Sequence, residues 1–188
     1  MPIKVCVPEC ELFDSKSQEF ITTKGATLIL EHSLISISKW EEKWQVPFIE
    51  GPNPKSRNKT DEQWLDYFRC MTISPKQVDP NVYRAIPAPE LKRILEYIRS
   101  ERTASYVSEE PKKGSNEQIT SELIYFWMIN YNVPYEFQQW HLSRLLMLIR
   151  ICQRKTTPPK KQSMAERSLA NARISAQRRN AAAKRKGK

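Results

Sequence analysis

The sequence predicts an α+β fold, mainly α, and three observations carry that expectation. The first thirty or so residues alternate short apolar, β-branched pieces with turn formers; from Ser33 onward apolar residues recur at helical spacing; and the last segment is rich in Ala, Arg and Lys with no apolar face. Together they imply a small N-terminal antiparallel β-sheet packed on a helical body, followed by a basic C-terminal tail that is helical or disordered.

The apolar pieces at residues 3–7, 12–13, 20–22 and 27–30 read as three or four short strands, so residues 1–31 form the β-rich part of a folded body spanning 1–152. Leu34, Ile37, Trp40 and Trp44 then mark a first amphipathic helix that ends before Pro47. Residues 51–59 hold a glycine, two prolines and small polar residues and read as a loop. Thr60-Asp61-Glu62-Gln63 is a capping-box pattern opening a second helix, with Trp64, Leu65, Phe68 and Met71 on one side and Pro75 marking its end.

Asp79-Pro80 starts a short helix through Ile86, and Pro89-Glu90 starts another with Leu91, Ile94, Leu95 and Ile98 as its stripe. Ser115 and Gln118 make a second capping box, and the helix it opens, with an unbroken apolar run from Leu123 to Ile129, is expected to be the central core helix. A last helix buries Leu145, Leu146, Leu148, Ile149 and Cys152, with Arg144 and Arg150 outside. Residues 33–152 are therefore mostly helical.

Charge separates the chain into two parts. Of its 31 Lys and Arg and 21 Asp and Glu, twelve basic residues and one acidic residue lie from Gln153 to Lys188, a balance of +11 that leaves the body at -1. Residues 153–162, with Pro158-Pro159 and flanking lysines, read as a linker, and residues 163–188 as a basic tail. In the tail Met164, Leu169 and Ile174 recur every five residues and point three ways on a helix, so there is no face to bury. Its Arg167, Arg173, Arg178, Arg179, Lys184, Arg185 and Lys186 suit a polyanion or an acidic protein without reading a sequence.

No pattern points to catalysis. With four glycines, Gly25, Gly51, Gly114 and Gly187, no phosphate-binding glycine loop can be written onto the chain. Cys6-x-x-x-Cys10 has a tolerable zinc spacing, but no second close pair completes it, and Cys70, Cys152, His32 and His141 stand apart in sequence. His141, between Trp140 and an apolar helix, reads as a capping or core-edge imidazole hydrogen-bonded to backbone. The chain reads as a soluble non-enzyme with no cofactor and no metal, and nothing in it approaches the ~20 apolar residues of a membrane span. Trp40, Trp44 and Trp140 are the candidate structural or interface anchors.

Residues 30–44 (LEHSLISISKWEEKW) with Pro47-Phe48, residues 66–72 (DYFRCMT), residues 79–83 (DPNVY) and residues 140–146 (WHLSRLL), in that order and followed by an Ala/Arg-rich end, form a recognisable set. In this the chain resembles proteins of the tail gene module of long-tailed bacteriophages, described as tail assembly chaperone-like. The resemblance implies a non-enzymatic role in the host cytoplasm during virion morphogenesis: transient binding of the tape-measure protein, or of other phage tail proteins, before the tail tube forms. The alternative from another class is a nucleic-acid-binding protein that uses the basic tail without strong sequence specificity. Gene adjacency to a long tape-measure gene would separate the two.

Overall fold

The computed structural model describes residues 1–14, 18–106 and 117–156, together with residues 168, 171, 172, 174 and 175. The chain divides into two compact units, Met1–Gln153 and Arg154–Lys188. The first is mixed α+β, with helices predominating. In the second, Ser168, Asn171, Ala172, Ile174 and Ser175 are helical.

Four N-terminal strands form as the alternation predicts: β1 (Ile3–Val7), β2 (Cys10–Asp14), β3 (Glu19–Thr23) and β4 (Ala26–Leu30). They do not share one sheet. β1 pairs antiparallel with β4 in the register Val5↔Leu28, which turns Val5, Val7, Leu28 and Leu30 to one buried face. β2 and β3 make a separate two-stranded ribbon with Phe13 opposite Phe20. The free edge of β4 is filled by β5 (Thr72–Ser74), which the sequence reading did not foresee; Glu31 N–H also donates to the Met71 carbonyl at 2.9 Å. A three-residue strand contracted at a helix exit has no alternation to reveal it.

Helix α1 (Leu34–Trp44) is capped by Ser33, whose hydroxyl accepts from Ser36 N–H at 3.4 Å, and it stops at Gln45, which takes the left-handed φ of 53°. It buries Leu34, Ile37 and Trp40. Helix α2 (Asp61–Met71) carries the foreseen capping box: Gln63 N–H donates to Thr60 Oγ1 at 3.3 Å and Thr60 N–H to Gln63 Oε1 at 2.9 Å. It ends at Met71, earlier than Pro75 suggested, because the chain turns straight into β5. Helix α3 (Pro80–Arg84) starts at the expected Asp79 cap, and α4 (Ala88–Arg99) turns Ile94 and Tyr97 inward.

Helix α5 (Ser121–Asn130) departs from expectation twice. Its cap is Thr120, which accepts from Leu123 N–H at 3.4 Å, while the Gln118 side chain is used elsewhere, donating to the Ile49 carbonyl at 2.7 Å and accepting from Asn53 N–H at 3.2 Å. Ser115, the other half of the expected box, lies outside the described residues. Nor is α5 a central core helix: Ile124 and Met128 are buried, but Phe126 is 60% and Ile129 76% exposed. A 3-10 turn (Tyr135–Gln139) leads into α6 (Leu142–Thr156), which buries Leu142, Leu145 and Ile149 and leaves Leu146, Leu148 and Cys152 only partly covered. α6 also runs through residues 153–156, assigned above to the linker.

Candidate protein-binding surface

The side chains able to do chemistry gather where β4 runs into α1. Glu31 and His32 are buried there, beside Tyr67 of α2, Tyr97 of α4 and His141 at the start of α6. The Tyr97 hydroxyl donates to the Glu31 carboxylate, and burial followed by that carboxylate pushes the Tyr97 phenol well up. His32 Nδ1 and the Tyr67 hydroxyl share a 2.5 Å hydrogen bond. The His32 ring lies 5.1 Å from that of His141, and burial, with the second imidazole adding to it, pushes His32 down to about 3.

The contacts of His141 fix its tautomer. Nε2 faces the Tyr97 carbonyl at 3.1 Å and so carries the proton, and Nδ1 at 2.8 Å accepts from Ser143 Oγ–H. Ser143 Oγ in turn accepts from Arg102 N–H at 3.0 Å. The pair has the outline of a base and a nucleophile, yet each polar atom already has a partner, as the expected core-edge imidazole requires. Cavities of about 520 Å³, lined by residues including Arg69, Lys76 and Tyr83, and about 430 Å³, lined by residues including Cys6 and Gly25, do not reach it. The junction clamps β4, α1, α4 and α6 together; a substrate has no access to it from either cavity.

The thiols do not converge. None of Cys6, Cys10, Cys70 and Cys152 is in a disulfide, and among the described residues no group of three His, Cys, Asp or Glu side chains could share a metal ion. Burial, with Asp66 adding to it, pushes the Cys70 thiol up to about 11, which removes its thiolate at neutral pH.

The three anchor tryptophans have different fates. Trp40 takes the structural role of the two expected for it and cannot serve as an interface anchor: it is 0% exposed, with its indole N–H donated to the Gln63 carbonyl at 2.8 Å. Trp44 is half-buried and donates to Asp66 Oδ2 at 2.9 Å. Trp140 is half-buried, stacked on Phe137 at 4.0 Å with the Arg144 guanidinium 4.0 Å from its ring. A half-buried cation borders the core around Trp40: Lys59 Nζ sits 4.7 Å from the Phe48 ring, 5.7 Å from Trp64 and 5.9 Å from Trp40, donating to the Ser56 carbonyl at 2.9 Å. It latches residues 51–59 onto the body. Arg167, Arg173, Arg178, Arg179, Lys184, Arg185 and Lys186, the candidate polyanion contacts, all lie outside the described residues.

Among the described residues Met1, Ile73, Tyr106 and Ile174 are exposed singly, whereas exposed large apolar side chains occur together at two places. On the β2–β3 ribbon Phe13 and Phe20, 54% and 71% exposed, pack on one another with ring centroids 5.3 Å apart. On α5 the exposed positions Glu122, Phe126, Ile129 and Asn130 fall within an arc of roughly 100° of the helix, opposite Ile124 and Met128. Tyr135, 65% exposed, extends this arc and stacks on Tyr125 at 5.8 Å. The body holds α5 by its other side: buried Glu41 of α1 accepts from Ser121 N–H through Oε2 and from Phe48 N–H through Oε1, both at 2.7 Å.

The sequence reading missed this surface although its signal was present. A helix apolar on nearly every side needs cover on more than one side, and the body supplies it on one only. Among the described residues no helix is long and apolar enough to cross a membrane. The chain matches no protein-family model, no curated protein and no solved structure.

Proposed function

We propose that this chain is a non-enzymatic assembly factor that binds an apolar helical segment of another protein, as a tail assembly chaperone of a long-tailed phage binds the tape-measure protein in the host cytoplasm. The observation that carries the reading is the outer face of α5, where Phe126 and Ile129 stand exposed. The sequence resemblance supplies the identity of the partner. Covering the exposed parts of Phe126, Ile129 and Tyr135 contributes about 3–5 kcal/mol. Association itself costs roughly 4–15 kcal/mol, so these three side chains anchor the contact but do not sustain it alone, and further contacts around them must supply the rest.

Co-expression tests it. The tape-measure protein of the same gene module stays soluble beside the wild-type chain and precipitates beside a Phe126→Ser/Ile129→Ser variant; equal solubility with and without the chain rejects the proposal. A second reading is favoured by the +11 balance of residues 153–188: nonspecific nucleic-acid binding through the tail. It requires salt-sensitive retention of DNA or RNA that disappears when residues 154–188 are removed.

A further inference from the structure

We infer that the α5 surface selects an amphipathic helix whose apolar stripe is flanked by lysine or arginine. This rests on reading that surface as the partner-binding one and adds the charge of the partner. Between Lys113 and Arg144 the chain has no basic residue but has Glu117, Glu122 and Glu136. Glu122 shares the exposed arc with Phe126 and Ile129, and Glu136 follows Tyr135. Neither carboxylate has an ion-pair partner among the described residues. Three cations of the body are engaged elsewhere: Arg144 over Trp140, Lys43 on Asp66 at 2.6 Å, and Lys59 against its aromatic rings. In a chain with 31 basic residues, the exposed apolar face is bordered along its own segment by carboxylates alone.

A helix laid on Phe126, Ile129 and Tyr135 places its flanking side chains within about 10 Å of those carboxylates, inside the range over which salt leaves charges coupled. Lysine or arginine there attracts, and glutamate repels. The same charges disfavour two other occupants. A second copy of this chain, paired face to face, sets Glu122 and Glu136 against their own equivalents, and an anionic lipid surface repels them.

Two helical peptides of about 20 residues with one leucine stripe, flanked by lysine in the first and glutamate in the second, are titrated onto the full chain by fluorescence anisotropy. The lysine peptide is expected to bind about tenfold tighter at low salt, with the ratio shrinking as salt rises, and Glu122→Lys/Glu136→Lys is expected to invert the preference. The basic tail is common to both proteins, so the change in ratio reports on this surface. If the charge variant leaves the ratio unchanged while Phe126→Ser/Ile129→Ser abolishes binding of both peptides, the charge inference is overturned and the surface reading stands. If neither peptide binds, or if the serine variant binds both as well as wild type, both are overturned.

Discussion

Acidification should weaken the fold through one buried ring. His32 is 5% exposed, bonded to Tyr67, and packed against the rings of Phe48, Tyr67 and His141, and its pKa stands at about 3 against the ordinary 6.5. Because the folded pKa is depressed, the unfolded chain binds the extra proton. The stabilisation is therefore present above pH 6.5 and is lost as pH falls toward 3. At pH 5 the unfolded ring is mostly charged and the folded ring is not, which costs about 2 kcal/mol, rising to about 5 kcal/mol near pH 3. His141, also lowered by burial, adds in the same direction. The assay is urea unfolding at half-unit steps from pH 7 to 4.5, for wild type and for His32→Asn, whose amide can still meet the Tyr67 hydroxyl. Carboxylates titrate in both proteins and cancel in the comparison. The wild-type stability should fall more steeply by up to about 1.4 kcal/mol per pH unit between pH 6 and 4.5, so the two curves converge. Parallel curves would refute the assignment of a neutral buried His32.

Two further substitutions test the packing. Glu41→Gln leaves one of the two N–H donors, Phe48 or Ser121, facing an amide NH2 group, and should cost about 1–3 kcal/mol in denaturant unfolding; an unchanged midpoint would mean that the carboxylate does not bridge α1 and α5. Lys59→Ala removes a latch contribution of about 0.5–2 kcal/mol and should speed trypsin cleavage after Arg57 several-fold, whereas an unaltered cleavage rate would contradict a loop held by the aromatic box.

What could be read from the sequence was local. The Thr60–Gln63 box, the Asp79 cap and the four short N-terminal strands announce themselves within a few residues of chain, and the structure forms each. What escaped depends on partners far away in sequence. β5 is a strand only because β4 offers a free edge some forty residues earlier, and His32 meets His141 only once α6 has docked. The Lys59 box needs Trp40, Phe48 and Trp64 together, from three segments. α5 shows the deeper ambiguity, since a helix covered by its own core and one awaiting a partner have the same composition; only the exposure of Phe126 and Ile129 separates them. Trp40 shows the same ambiguity from the other side, since its spacing suits a core or an interface anchor and only its full burial separates the two.

The central claim is that binding resides on α5 and not in the basic tail. The measurement that tests it most directly is the fraction of tape-measure protein kept soluble on co-expression with wild type, with Phe126→Ser/Ile129→Ser, and with a chain lacking residues 163–188. The account predicts that the serine variant loses the effect and the shortened chain keeps most of it. Loss of solubility with the shortened chain, and none with the serine variant, would contradict it.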